Sequence, residues 1–135
     1  AEALQTLEKR FASARTFDSK LASGYDLYFS SLTPNQRPAA RLNVEFWTAS
    51  PKIPKLSKVL NDQYGRVQGF LKSTIEEAMA KGELRKEIDS ESLSIVLLAA
   101  LDGLELHWAI LERNFDWQKI RTTLSDAIMK GLEPR

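Results

Sequence analysis

Cysteine is missing from all 135 residues, and histidine occurs once, at His107. Without thiols the chain has no disulfides, no thiolate nucleophiles and no zinc-thiolate sites. One imidazole without acidic partners at ligand spacing also rules out HExxH or a paired Glu and ExxH set. The expected metal and cofactor content is therefore none. Excess charge of one sign is lacking as well: 19 Lys and Arg stand against 18 Asp and Glu, a net +1. No bulk field draws this chain to nucleic acid or an anionic membrane. No GxGxxG opens a helix after a strand, and P-loop and GxSxG motifs are missing. Glu105 and His107, two positions apart, cannot share a helical face. These absences argue against an enzyme. The first apolar block is broken by Glu8, Lys9 and Arg10, which excludes a signal peptide there. Together with the missing cysteine this makes the cytoplasm the expected compartment. The chain begins at Ala1 without Met, as a piece of a longer protein would.

The one long hydrophobic run is Leu93 to Leu111, LSIVLLAALDGLELHWAIL, in which only Ser94, Asp102, Gly103, Glu105 and His107 are not apolar. On a 3.6-residue wheel its apolar positions extend almost all the way round, and a helix apolar on every side is buried on every side. A membrane span has this length, but two carboxylates in the run make it costly, so no membrane partner is expected. The run reads as the central helix of an all-α domain, covered on one side by its own chain and on another by a second copy. At this length one domain over residues 1–135 is expected, burying roughly two-thirds of its unfolded surface.

Six helices and no strand are predicted. Leu4, Leu7, Phe11, Ala14, Phe17 and Leu21 mark a first amphipathic helix from Ala3 to about Lys20, with a break around Ser23 and Gly24. An aromatic-rich short helix follows at Tyr25 to Leu32, then another at Ala39 to Ala49 after the turn between Pro34 and Pro38. Ser50 and Pro51 form an N-cap and first-turn pair, with Pro54 resetting the start. From Leu56 an apolar stripe runs through Met79, and Gly82 is placed to stop that long helix. Within it Gly65 and Gly69 each cost about 1 kcal/mol relative to alanine, which either a closely approaching helix or room for a ligand would offset. Ile88, Asp89 and Leu93 suit a hydrophobic staple around an Asp cap. Asp116 suits the cap of a last helix from Trp117 to about Gly131.

Tyr25, Tyr28, Phe46, Trp47, Tyr64 and Trp108 offer large apolar faces with polar edges, the kind that lines mostly apolar pockets. Asn43, Asp102 and His107 are the candidate polar groups beside them. Any pocket belongs between the short aromatic helices and the long helix from Leu56. Each candidate also has a purely structural reading: the aromatics as core, and His107 as a hydrogen-bonded core residue. Asp102 and Glu105 could be a buried acidic pair that reads a cation, or part of a solvent-exposed strip beside Ser94.

The order FLKSTIEEAMAKGELR, KEIDSES, LSIVLLAALDGLELHWAI and DWQKIRTTLSDAIMKGL, with WTAS at Trp47 to Ser50 upstream, resembles the C-terminal half of TetR-family transcriptional regulators. The resemblance covers nearly the whole chain and rests on order, spacing and helix lengths. It implies a domain that binds a small effector and dimerises, the last two long helices of each copy forming an intersubunit four-helix bundle. The family's DNA-reading helix-turn-helix is missing from these residues: no short helix, glycine turn and basic recognition helix occur in series. DNA contact is thus expected only through a missing N-terminal domain, within roughly 50 residues upstream, with residues 1–20 as all or part of the linker helix.

The central helix adds physical reasons for a homodimer. Ala99 and Gly103, flanked by Val96 and Ile110, form a shallow surface for a second helix, with Leu98, Leu106 and Ala109 on an adjacent sector. Trp117, Leu124 and Ile128 of the last helix extend it. The expected function is ligand sensing and homodimerisation for a transcriptional repressor, with a lipophilic, neutral or mildly cationic effector. The alternative is a constitutive helical interaction module without a small-molecule pocket.

Overall fold

The computed structural model describes residues 2 to 134, and these hold six α-helices, two single 3-10 turns and no strand. The helix predicted from Ala3 to about Lys20 is in fact two: α1 spans Glu2–Ala12 and α2 spans Phe17–Ser30. Thr16 ends the continuity. Its hydroxyl accepts from the Ser19 N–H and the Ser19 hydroxyl accepts from the Thr16 N–H, each at 3.1 Å, a reciprocal capping box. A second anchor comes from far along the chain, where Glu83 Oε2 accepts the Phe17 N–H at 2.7 Å and sets a carboxylate at the positive end of α2. The break predicted at Gly24 does not occur, since Gly24 lies inside α2. A Cβ there would meet Phe11 Cε1 at 3.2 Å, so the bare backbone is what lets α1 lie close against α2.

Helix α3, Arg37–Ala49, starts two residues earlier than predicted, after a 3-10 turn at Pro34–Gln36. It is clamped to the far end of the central helix: Arg41 Nε donates to the Ala109 carbonyl at 2.7 Å, Arg41 pairs with Glu112, and the Arg37 guanidinium lies 4.7 Å from the Trp108 ring centre. Ser50 closes α3 rather than opening the next helix, its hydroxyl donating to the Trp47 carbonyl at 2.8 Å. After a 3-10 turn at Ser50–Lys52, α4 spans Pro54–Ala80 with proline in the first turn. Gly82, at φ +78°, takes the left-handed position that terminates it. The Gly82 N–H bonds to the Met79 carbonyl and the Glu83 N–H to that of Ala78, the two bonds of a Schellman motif.

Helix α5, Ser90–Ile110, and α6, Trp117–Leu132, begin where predicted, their first turns held by Asp89 accepting from Ser92 N–H at 3.2 Å and Asp116 accepting from Lys119 N–H at 3.1 Å. Helix α5 packs against α4 on one flank and α3 on another, while α2 rests on α1, α4 and α6. Phe17, Leu21, Tyr25, Phe29, Ile75, Leu97, Trp108 and Ala109 are among the buried residues of the shared core. The Arg85 N–H donates to the Leu132 carbonyl at 2.9 Å, tying the loop after α4 to the end of α6.

By length and composition α5 could cross a membrane. Here it is a two-sided helix: Ser94, Leu97, Trp108 and Ala109 are buried, whereas Val96 is 61% exposed, Ile110 46% and Leu106 42%. Gly65 and Gly69 are exposed and nothing lies within 4 Å of a Cβ built on either, so neither a helix crossing within the chain nor a cavity wall explains them. Gly65→Ala and Gly69→Ala should each raise stability, by up to about 1 kcal/mol in urea denaturation; a loss would mean that another molecule's helix covers that face. Thr16→Ala, which removes the capping box, should cost about 1 kcal/mol in the same measurement.

Candidate ligand-binding cavity

A cavity of about 520 Å³ opens between α1, α2, α4 and α5, with Trp47 from the end of α3 at its edge. Its wall is mainly apolar, with Leu4, Leu7 and Phe11 from α1, Leu21 and Leu27 from α2, Leu60, Val67 and Leu71 from α4, and Leu97, Leu98 and Leu101 from α5. Heptad-like spacing in α1 and α4 presents these side chains to one interior. Tyr25, Tyr28, Tyr64, Gln63 and Asp102 supply most of the polar atoms. The volume lies within the range of small-molecule sites, and so does the mixture of large apolar area and few polar groups.

The polar groups are unevenly satisfied. Tyr28 Oη lies 2.9 Å from Glu105 Oε2 and 3.1 Å from the Leu101 carbonyl, donating its single proton between them. Burial, and then the negative charge of Glu105, raise the Tyr28 phenol well above its ordinary range. The Tyr25 hydroxyl is buried without a hydrogen-bonding partner, and burial lifts it to about 12, with Asp18 adding a smaller push. Tyr64 is raised chiefly by desolvation and secondarily by Asp102. Asp102 itself is lifted to about 6, first by desolvation and then by repulsion from Glu105. Glu105 is half-buried against Tyr28, and its wheel neighbour Ser94 is fully buried, donating to the Glu91 carbonyl at 2.6 Å; no exposed strip runs there.

Of the candidate ligand residues, Tyr25, Tyr28, Trp47, Tyr64 and Asp102 share this cavity. Asn43 and Phe46 do not line it and are exposed on α3. Trp108 is buried in the core beneath Arg37. His107 is neither in the cavity nor in the core: it is exposed and lines a shallow groove between α5 and α6. Ala99, Gly103 and Leu124, candidates for the dimer surface, line the same groove, and Leu106 and Ile110 are exposed beside them. Leu98 faces the cavity instead. Trp117 stacks on Phe29 at 4.9 Å, and Ile128 is half-buried against the core. Sequence reasoning missed the contribution of α1, because its apolar stripe reads the same whether it meets core or cavity.

The folded value of Asp102 lies above its unfolded one, so the native state holds the proton more tightly. Stability should therefore rise as pH falls from above 6 to below 4, through the window between the two values. Asp102→Asn should remove that dependence and raise stability at pH 7.5 by about 1 kcal/mol, a figure reduced for solvent screening of a part-buried group, as read by urea denaturation across pH. An unchanged pH profile would contradict the assigned burial of this carboxyl.

The family model for the C-terminal domain of BetI-type transcriptional repressors matches residues 19–133. Neither a curated protein nor a solved structure matches the chain. The match spans α2 to α6, including most of the cavity wall and the whole α5 and α6 surface. The chain thus belongs to the BetI-type C-terminal domains of TetR-family transcriptional regulators.

Proposed function

We propose that this chain is the effector-binding and homodimerisation domain of a transcriptional repressor, in which a small lipophilic molecule occupies the cavity and α1 passes its presence to a DNA-binding head. The observation that carries this reading is the division of α5 into opposed surfaces. Leu97, Leu98, Leu101 and Asp102 line the cavity, while Val96, Ala99, Gly103, Leu106 and Ile110 form an outward row at alternating spacings of three and four. That spacing is the seam of paired helices, and the shallow groove toward α6 gives a second copy a surface to enter. Interfaces of such obligate pairs commonly bury more than about 2,000 Å².

Coupling to DNA follows from the position of α1. Its residues Leu4, Leu7 and Phe11 form one wall of the cavity, and its main helix contact is with α2. A ligand touching that wall favours one placement of α1 over others, and this difference in affinity shifts the population of DNA-competent dimers. The mainly apolar wall of the cavity, with no metal-binding group of His, Cys, Asp or Glu among the described residues, favours binding over turnover.

The chain should sediment as a dimer at tens of micromolar, and the double substitution Leu106→Glu and Ile110→Glu should give a folded monomer by sedimentation and circular dichroism. A monomeric wild type would sink the pairing. A ligand of the cavity at 100 times its dissociation constant should add about 2.7 kcal/mol of stability. Leu101→Trp, which fills the cavity, should abolish that gain.

A further inference from the structure

We infer that the outer face of α3, with the turn that follows it, is a docking surface for an acidic amphipathic helix of a protein partner. The apolar row on α3 receives the helix, and Lys52 and Lys55 receive carboxylates at one end of it. The inference depends neither on the cavity nor on the pairing through α5 and α6.

Helix α3 has two opposite faces. Arg37, Ala40, Arg41 and Val44 recur at helical spacing and turn inward: Ala40 is buried, Val44 is half-buried, and Arg41 Nε donates to the Ala109 carbonyl at 2.7 Å. A helix held in this way ordinarily carries polar residues on its far side. The far side of α3 instead carries Ala39, Leu42, Phe46 and Ala49, at spacings of three, four and three. Leu42, Phe46 and, beyond the 3-10 turn, Ile53 are 46 to 49% exposed. The large exposed apolar side chains of the described residues thus form two groups, one along α5 to Leu111 and one from Leu42 to Val59. The second belongs to a face of α3 turned away from α5.

A row at three- and four-residue intervals is the shape that another helix fits, each large side chain entering a gap between side chains of its partner. The alanines at either end leave room for large residues of the incoming helix. The contacts of Arg37 and Arg41 behind α3 hold the row in place before anything binds, which lowers the ordering cost of docking.

Charge selects the partner. From Arg37 to Leu60 the sequence has five cations and one carboxylate, Glu45, in a chain of net charge +1. Arg37 and Arg41 are engaged with the end of α5 and the loop after it, and Lys58 pairs with Asp62 at 3.1 Å. Lys52 and Lys55 are exposed and belong to none of the ion pairs among the described residues. A helix lying on the row therefore meets two uncommitted cations where α3 gives way to α4, and carboxylates flanking its apolar positions are attracted there. A second copy of this chain would bring the same lysines and a single carboxylate to the face. An anionic bilayer would answer the charge, but a helix that lies in a bilayer surface presents a broad apolar face, and this row is one side chain wide.

Two labelled peptides of about two heptads, with leucine at the first and fourth positions of each heptad, test the inference by fluorescence anisotropy against the full chain. One carries glutamate at the positions flanking the leucines and the other carries lysine. The glutamate peptide should bind roughly tenfold or more tighter at low salt, with the preference shrinking in about 0.5 M salt. The double substitution Leu42→Ser and Phe46→Ser should weaken its binding about tenfold or more, while circular dichroism and sedimentation remain those of the wild type. Lys52→Glu with Lys55→Glu should reverse the preference between the two peptides, which a loss of fold could not do. Equal binding of the peptides, binding of neither, or glutamate-peptide binding that survives Leu42→Ser and Phe46→Ser overturns the inference. So does tighter retention on phosphatidylserine vesicles than on the glutamate peptide, which would assign the face to a membrane. A species larger than the dimer that disappears with Leu42→Ser and Phe46→Ser would assign it to a second copy and overturn the inference as well.

Discussion

Helix α5 carries more apolar surface than the other five helices can cover. Burying each of its large side chains would stabilise the fold by about 1.5 to 3 kcal/mol, yet the chain supplies α3 and α4 on some flanks and leaves others open. The result is a helix of two faces: one packs in the core at Ser94, Leu97, Trp108 and Ala109 and meets the cavity at Leu98, Leu101 and Asp102, and the other is uncovered at Val96, Leu106 and Ile110. Contiguous exposed apolar surface of that kind is where interaction partners dock.

The cavity exists because the surrounding helices are held at their ends. Glu83 reaches back to the first turn of α2, Arg85 ties to the end of α6, and the left-handed Gly82 turns the chain so that both contacts form. Gly24 then admits the Phe11 ring, which brings α1 against α2 and places its apolar stripe over the opening. Three of these anchors are made by the short loop after α4, none of whose residues lines the cavity.

Electrostatics single out the same place. Most of the ion pairs here join exposed side chains, three of them one helical turn apart, and such pairs contribute little. Asp102 is different, with an apolar surrounding and a like charge as its neighbour. Retaining that arrangement at a cost in stability is expected where a group serves recognition.

The local chemistry of the sequence determined much of the fold. The 3.6-residue stripes gave the helices, and Asp89, Asp116 and Gly82 gave three of their ends, because caps and glycine stops act over a few neighbouring residues. The missed boundary at Thr16 was also local, but its Thr-x-x-Ser box lacks the usual Glu or Gln at the fourth position and continues an apolar period that reads straight through. Tyr25, Tyr28, Tyr64 and Asp102 could be picked out as polar-edged or charged groups among apolar ones. Only the tertiary structure decided which of them meet: Phe46 and Asn43 point outward from α3, His107 lies in the α5 and α6 groove, and Leu98 turns to the cavity. Periodicity states which residues share a face, whereas the element that covers a face is fixed by contacts between residues far apart in the chain.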